Sequence, residues 1–289
     1  MLKAAPDREG ASGSPAGIRR SPLLTYHELT EVPSQDLYRV DTSRFEQHLK
    51  ALDALYRSGT FAPDDWCLSF DDGDRSNAEL ALPRLQSYRL KAIFFITAGW
   101  TGTRSTAMTW SQLENLVKSG HSVQSHGWSH EFLAGCAPSQ LEYELRKSRE
   151  TLEDRLGSRV DSISAPGGRW NHQVLKACAA AGYQHVYTSD PMFEPVPEQG
   201  VWRHGRMMVR RNTQIEELRQ FLTGDRRYWN RLRSRHRLKQ ACRSMMGDAL
   251  YHSLWRRLSA RKPAEETGST SGPAERAPET SNHAHTATD

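Results

Sequence analysis

Strand and helix patterns alternate along about 200 residues of this 289-residue chain, and this alternation restricts its fold more than any other feature. Short apolar runs such as Trp66–Phe70 and Lys91–Thr97 are typical of buried strands. Segments such as Thr42–Ser58, with apolar residues three or four positions apart, are typical of amphipathic helices. The pattern therefore predicts an α/β fold with a parallel sheet, either open and doubly wound or closed into a full or partial barrel.

The two ends of the chain differ in composition from this centre. Residues 1–20 are rich in Ala, Gly, Ser and Pro and are predicted to be a disordered lead-in. Residues 263–289 contain no large apolar side chain and are predicted to be a disordered tail. The α/β domain is accordingly predicted at residues 21–222, and a basic amphipathic helical segment at residues 223–262.

The positive charge is concentrated in one segment. Residues 225–262 hold 12 of the 39 Lys and Arg but 2 of the 34 Asp and Glu, so this segment has a net charge of +10 and the remainder −5. The net charge of +5 therefore does not indicate a nucleic-acid-binding protein as a whole. Three interpretations of the segment stay open: helices packed on the domain with a solvated Arg face, a surface for anionic lipid, and a surface for nucleic acid or another polyanion.

The sequence also predicts a location. It contains no apolar run of the roughly 20 residues that a membrane span needs, and its first 20 residues lack the apolar core of a signal peptide. Four cysteines lie far apart without a Cys-x-x-Cys pair, which argues against a disulfide framework and a thiolate zinc site. These observations predict a cytoplasmic, reduced protein, with peripheral attachment to the inner face of the membrane if the basic segment binds lipid.

Two helix starts are predicted from capping boxes. Ser111 is followed three residues later by Glu114, and Ser139 by Glu142. In this pattern the Ser side chain accepts a hydrogen bond from the backbone N–H three residues on, and the Glu side chain reaches back. We therefore expect helices to begin at these two serines.

Polar clusters follow several of the predicted strands. Asp71-Asp72 follows one strand, and His126 and His130 follow another. Because parallel strands end at the same edge of a sheet, these groups are expected to meet. One aspartate and two histidines form a three-ligand site with open positions, which suits Zn²⁺ or a similar ion, and the other aspartate is then a candidate general base. Asp-Asp-Gly is also a common surface turn, and the residues alone do not divide the two roles.

Two of these motifs carry a resemblance to a known family. Ser69–Gly73 reads Ser-Phe-Asp-Asp-Gly, and His126 is separated from His130 by three residues. The chain thereby resembles the polysaccharide deacetylase family, also called NodB-like or carbohydrate esterase family 4. The resemblance implies a distorted (β/α) barrel of about seven strands, followed here by the C-terminal basic helices. It also implies metal-dependent removal of N-acetyl groups from an amino-sugar polysaccharide or glycan precursor, with release of acetate.

The resemblance also assigns roles to residues. It implies that Asp71 is the general base and that Asp72, His126 and His130 hold a divalent metal, with Zn²⁺ expected and Co²⁺ as an alternative. The implied partner is an N-acetylated polysaccharide, such as an exopolysaccharide, or a lipid-linked glycan. Nucleic acid is not an expected partner.

The chain departs from the family pattern in its later motifs. The family's Arg before Pro is absent, and Arg169 is a candidate to orient the base instead, or a surface residue. The family's Leu-x-His motif is also absent, and His204 is a candidate general acid, or a structural histidine. His27, at the end of the first predicted strand, either lines the pocket or is a buried structural residue.

Some residues near the predicted strand ends are candidates for contact with substrate. The faces of aromatic rings pack well against sugar rings, although ordinary core packing is the alternative for each aromatic residue. The candidates are Trp128, Trp170, Pro166, Gly167 and Gly168.

Two other functions remain as alternatives. The altered later motifs fit a catalytically degenerate, glycan-binding relative that keeps the metal site. Asp72-x-Asp74 faintly resembles an Asp-x-Asp phosphoryl-transfer loop. That interpretation gives the two histidines no role.

Overall fold

The computed structural model describes residues 19–61 and 65–246. All but the last few of these residues belong to one compact unit that ends at Lys239. The strands are β1 Arg19–Tyr26, β2 Glu28–Thr30, β3 Arg39–Asp41, β4 Asp65–Phe70, β5 Ile93–Ile96, β6 Ser122–Ser125, β7 Ser162–Ser164, β8 His185–Tyr187, β9 Val196–Glu198, β10 Val201–His204 and β11 Arg206–Met208. The helices are α1 Thr42–Arg57, α2 Leu82–Ser87, α3 Trp110–Lys118, α4 Pro138–Leu156, α5 His172–Ala180, α6 Ile215–Leu222 and α7 Arg226–Met246.

The main sheet has nine strands in the order β11-β1-β4-β5-β6-β7-β8-β10-β9. Every pair in it is parallel except β10–β9. Only Gly205 separates β10, which pairs with β8, from β11, which pairs with β1. This stretch of chain therefore joins the two ends of the parallel sheet and makes it a barrel.

The barrel confirms the predicted fold, and the strand count differs for a simple reason. If β10 and β11 are counted as one interrupted strand, seven parallel strands form the wall. The short antiparallel strand β9 adds to the edge of β10. Strands β2 and β3 form a separate parallel pair outside the wall.

Side-chain alternation along the strands produces two cores. In β5, Phe94 and Ile96 belong to the large cluster shared with the helices, whereas Ile93 and Phe95 belong to a small cluster with Leu23 and Tyr187. Successive side chains of a strand point to opposite faces, so the small cluster fills the inside of the barrel. The inside is also polar: Thr25 Oγ1 lies 2.9 Å from Ser69 Oγ. Polar groups at the strand ends are thus continuous with a partly polar interior.

The helices lie where the periodicity predicts them, but both capping predictions were wrong. Helix α3 is capped by Thr109, whose side chain accepts from the Gln112 backbone N–H while Gln112 caps in return. Helix α4 begins at Pro138 after Ala137, which makes no side-chain cap. A proline at the first turn needs no N–H partner, and its φ suits the helix, so α4 begins before Ser139.

The predicted domain limits can be compared only in part with the structure. Strand β1 begins at Arg19, two residues before the predicted start of the domain. The first 18 residues of the lead-in, residues 247–262 of the basic segment and the tail at 263–289 lie outside the described residues. None of the helices described has both the length and the apolar composition to cross a lipid bilayer.

Closure of the barrel at Gly205 provides a test of the fold. A Cβ at this position would meet the Asp190 carbonyl oxygen and lie 2.7 Å from the Met192 backbone. We expect Gly205→Ala to destabilise the protein by about 1–3 kcal/mol, because the backbone must shift to admit the methyl group. Urea unfolding measures this loss. Gly135→Ala is the control, since a Cβ there has no neighbour within 4 Å; equal stability of the two variants would contradict the closure.

Candidate active site

The two predicted site motifs begin at the carboxyl ends of β4 and β6. The Asp71 N–H bonds to the Tyr26 carbonyl at 2.9 Å, and the His126 N–H bonds to the Ile96 carbonyl at 2.8 Å. Both residues therefore extend the hydrogen-bonded ladders of β4 and β6 by one position. Strand β5 lies between β4 and β6, so the two motifs open onto the same end of the barrel.

The two adjacent aspartates point in different directions. Asp72 has a φ of 71°, in the left-handed region, and Gly73 continues the turn with a φ of 85°. Asp71 consequently faces the interior and is 2% exposed, while the side chain of Asp72 is 30% exposed at the rim. The left-handed conformation is uncommon for residues other than glycine. At Asp72 it turns the carboxylate away from that of Asp71, although both residues follow the same strand.

Asp72, His126 and His130 converge on one point. His126 Nε2 and His130 Nε2 each lie 3.2 Å from Asp72 Oδ1. One potential ligand atom from each of the three residues lies within 4.8 Å of the other two. His126 Nδ1 lies 2.8 Å from the Ser164 carbonyl oxygen, which can only accept, so Nδ1 carries the proton. The Nε2 lone pair then faces Asp72 Oδ1, a buried oxygen with no hydrogen-bond partner.

This donor set fits a divalent metal. Lone pairs that face one another repel unless a cation lies between them. A metal-binding histidine commonly donates its second N–H to a carbonyl oxygen, as His126 does to Ser164. Two imidazole nitrogens and one carboxylate leave coordination positions open, which is typical of catalytic zinc sites.

Asp71 lies beside this cluster and is held by a buried ion pair. Arg206 Nη1 contacts both carboxylate oxygens, at 2.7 and 2.9 Å, and Ser164 Oγ donates to Oδ2 at 3.0 Å. His126 Nε2 is 3.8 Å from the same Oδ2. Burial alone raises the pKa of Asp71, but the positive charge of Arg206 against its carboxylate outweighs this effect and holds the pKa below its ordinary value. The group is therefore an ionised carboxylate at neutral pH, able to accept a proton.

Arg206 was missed by the sequence-based reasoning, which offered Arg169 for this task. The Arg169 guanidinium lies 4.2 Å from the centre of the Phe132 ring. Arg206 instead reaches Asp71 from β11, which is separated from β4 in the sheet by β1. The available signal was strand alternation, because Arg206 lies two residues after His204 in an extended stretch.

His204 is buried inside the barrel. Its Nε2 lies 2.9 Å from His185 Nδ1, and its ring stacks on Tyr187 with centres 4.5 Å apart. His27 directly follows β1, and its ring lies 5.1 Å from that of Tyr38. Its Nδ1 is buried without a hydrogen-bond partner.

The predicted aromatic residues occupy different parts of the rim. Trp128 lies between the two histidines in the sequence, and its side chain is half-buried. Its ring meets that of the exposed Tyr143 edge-on, with ring centres 6.3 Å apart. Trp170 donates from Nε1 to Asp190 at 2.8 Å, and Arg203 covers one face of its ring. Trp100, which the site prediction did not include, is the tryptophan whose ring lies 5.1 Å from that of His130.

The Pro166–Gly168 turn packs closely under the rim. Pro166 is buried, and the Gly168 N–H bonds to the Ala165 carbonyl at 2.8 Å, so that donor is already used. A Cβ on Gly167 would lie 2.6 Å from the Phe132 ring, and one on Gly168 would collide with Ser189. Close packing therefore accounts for both glycines.

The fold and the metal-type cluster define a class: NodB-like (β/α) barrel proteins with an Asp-His-His site at the strand ends. Solved structures with this fold include the deacetylase PplD of Streptococcus pyogenes, in complex with acetate, at a TM-score of 0.60 and 23% identity over 71% of this chain and 99% of that one. A polysaccharide deacetylase from Bacillus cereus aligns at a TM-score of 0.61 and 24% identity over 70% and 68%. At these identities the likeness shows the fold.

The sequence comparisons match part of the chain to one family. Residues 58–186 match the family model for polysaccharide deacetylase. The chain is 31% identical to YxkH of Bacillus subtilis over 59% of this chain and 64% of that protein. It is also 31% identical to a chitooligosaccharide deacetylase of Sinorhizobium fredii, over 50% of this chain and 66% of that one. Residues 58–186 therefore resemble the polysaccharide deacetylase family, and the chain spans just under two thirds of the length of these two relatives.

The ion pair at Asp71 predicts a pH-dependent loss of stability. In the absence of metal, Arg206→Gln should destabilise the protein by about 3–5 kcal/mol at neutral pH, because it leaves a buried carboxylate without its partner. Arg206 holds the pKa of Asp71 below its unfolded value of about 4, so the wild type keeps this contribution from neutral pH down to about pH 4 and loses it below. In the variant, burial is no longer offset by Arg206 and raises the pKa of Asp71, so the carboxyl group takes up a proton as the pH falls. The loss of stability should therefore shrink between neutral pH and about pH 4.

Urea unfolding in the presence of a chelator, repeated across this pH range, measures the deficit. Adding Asp71→Asn to the Arg206→Gln background should recover part of the lost stability, because the uncompensated charge is gone. A deficit of the same size at every pH would contradict the ion-pair explanation.

Proposed function

We propose that this chain is a metal-dependent de-N-acetylase that acts on an N-acetylated amino-sugar glycan. The observation that carries the proposal is the convergence of Asp72, His126 and His130 beside an ionised, buried Asp71. The relatives support the substrate class: one is a chitooligosaccharide deacetylase and another a peptidoglycan-N-acetylglucosamine deacetylase of Listeria monocytogenes. An exopolysaccharide or a lipid-linked glycan is a narrower form of the same proposal.

The proposed metal ligands are Asp72, His126 and His130. Nitrogen and carboxylate ligands with open positions suit Zn²⁺, and Co²⁺ is the expected substitute. When bound, the ion would supply Lewis acidity toward the acetamide carbonyl and toward water.

Asp71 is proposed as the general base. Arg206 and Ser164 fix both of its oxygens, and Oδ2 lies at the edge of the ligand cluster, 3.8 Å from His126 Nε2. A water molecule at the cluster can therefore lose its proton to Asp71 as it attacks the amide. The orienting role expected of Arg169 passes to Arg206 in this proposal, because Arg206 makes the ion pair.

The leaving amine needs a proton, and two histidines are candidates to supply it. We favour His27, which follows β1 and whose Nδ1 has no hydrogen-bond partner, over His204, whose Nε2 is engaged with His185. For the sugar ring we propose the half-buried faces of Trp100 and Trp128 beside the ligand loop, with Trp170 and the Pro166–Gly168 turn bordering the rim.

Acetate release from N-acetylglucosamine oligomers tests the proposal. We expect release with Zn²⁺ or Co²⁺ and none with a chelator. Asp71→Asn should reduce turnover by at least about 10²-fold while metal stays bound, since the general base is lost. Asp72→Asn should instead lose the metal, as measured by metal content after dialysis.

The control variant is Asp53→Asn, whose carboxylate pairs with Arg57 on helix α1, outside the site. Bound metal without acetate release from any of the oligomers would favour the glycan-binding alternative. Wild-type activity in Asp71→Asn would contradict the assignment of the base.

We further propose that helix α7 binds an anionic lipid surface. Its inner side holds the buried Tyr228 and Trp229 against the barrel. Its outer side carries six exposed arginines with no acidic residue within the helix, and Leu238 is 67% exposed. Anionic lipid attracts such a surface by about 1 kcal/mol per basic residue. A lipid-linked glycan is the substrate that this attachment would suit; the cytoplasmic location stays a prediction.

Vesicle co-sedimentation tests the lipid proposal. Replacing Arg227, Arg231 and Arg235 with Gln should weaken binding to vesicles with anionic lipid by about 3 kcal/mol, or roughly 10²-fold, at low salt. Binding to vesicles of neutral lipid should be weak for both proteins. The matched control replaces the exposed Arg57, Arg146 and Arg159 elsewhere on the surface. An equal loss in the control would indicate nonspecific charge attraction.

A further inference from the structure

Glu144 of helix α4 is a fully buried carboxylate that binds the loop between the two metal-site histidines. Its Oε2 accepts from the Trp128 and Ser129 backbone N–H groups, at 2.8 and 2.9 Å. Its Oε1 accepts from Ser129 Oγ at 2.5 Å and from Gln140 Nε2 at 3.3 Å. Four donors therefore surround one side chain, and three of them come from the residues between His126 and His130.

Burying a carboxylate costs desolvation free energy, even when the carboxylate holds a loop in place. Its charge loses the solvation of water, and among the described residues no Lys, Arg or His lies within ion-pair distance of it. Hydrogen bonds to a carboxylate are stronger than those to a neutral acceptor, so Glu144 holds the backbone of the loop more rigidly than a neutral side chain would. Such rigidity matters where the position of the bound segment has to be accurate.

The loop needs external support because its own conformation is irregular. Gly127 and His130 both have positive φ, at 80° and 69°. On one side, the Gly127 and Trp128 carbonyls accept from the backbone N–H groups of Ala98 and Gly99, at 3.1 and 2.9 Å. Glu144 binds the amide groups on the other side. The loop is thus held from β5 and from α4, and its two ends are His126 and His130.

We propose that Glu144 is a positioning residue that determines how tightly Asp72, His126 and His130 bind their metal. Without it, His130 loses the constraint that places its Nε2 3.2 Å from Asp72 Oδ1. Partners that orient metal ligands typically change metal affinity by about 10- to 100-fold when they are replaced. This inference depends on the metal centre proposed above and adds a residue that touches neither metal nor substrate.

The test is the Zn²⁺ dissociation constant, measured by competition with a chromophoric chelator at a temperature where every protein is folded. Glu144→Gln keeps the size of the side chain but replaces one of its two acceptor oxygens with an NH₂ donor and removes the charge that strengthens the remaining hydrogen bonds. We expect its dissociation constant to rise by about 10- to 100-fold. Ser129→Ala removes one of the four hydrogen bonds from an exposed position and should give a smaller rise in the same direction.

Glu153→Gln is the matched control. Glu153 lies on the same helix and accepts the Val160 backbone N–H at 2.9 Å, but that segment carries no proposed ligand. Its dissociation constant should equal that of the wild type. Thermal unfolding of the metal-free proteins, and the absorption spectrum of the Co²⁺ forms, separate loss of folding from loss of ligand geometry.

The outcomes are distinguishable. Weaker metal binding in Glu144→Gln and Ser129→Ala, but not in Glu153→Gln, supports the positioning role. Wild-type affinity in folded Glu144→Gln, with only its melting temperature lowered, overturns it. If Glu144→Gln does not fold, wild-type affinity in Ser129→Ala overturns it instead. Absence of metal binding in the wild type would contradict the proposed metal centre itself.

Discussion

The ion pair between Asp71 and Arg206 joins two strands that are not neighbours in the sheet. Its carboxylate follows β4, its guanidinium belongs to β11, and β1 lies between them. Both side chains are almost completely buried, so neither charge is stable there without the other. The pair therefore depends on the strand order β11-β1-β4 and fills the polar part of the barrel interior. It also keeps one carboxylate ionised beside the ligand cluster, which the proposed chemistry needs.

The metal-type cluster depends on two backbone features at the strand ends. The left-handed conformation of Asp72 directs its carboxylate away from Asp71, so that adjacent residues do different work. The loop from His126 to His130 is held from both sides, by backbone groups after β5 and by the buried carboxylate of Glu144. Uncommon conformations persist where the surroundings hold them, and here they bring three ligands to one point.

The sequence predicted some features better than others, and the difference is physical. Apolar periodicity located the strands and helices because burial of one face depends on the order of residues along the chain. Helix starts failed where two signals competed: Thr109 with Gln112 formed the cap instead of Ser111 with Glu114, and Pro138 began α4 before Ser139. Strand alternation could have placed Arg206 inside the barrel, but it could not indicate the contact with Asp71, because 135 residues separate the two.

The sequence by itself determined the α/β class, the parallel arrangement and the residues that follow the strands, because these depend on local patterns and on the common edge where parallel strands end. The motifs Ser69–Gly73 and His126–His130 carried the resemblance to the polysaccharide deacetylase family. Only the tertiary structure decided that Arg206 pairs with Asp71 and that Glu144 holds the ligand loop. These contacts depend on whether a side chain points into or out of the barrel and on which residues, distant in the sequence, are buried beside it. No short segment of the sequence encodes either of these.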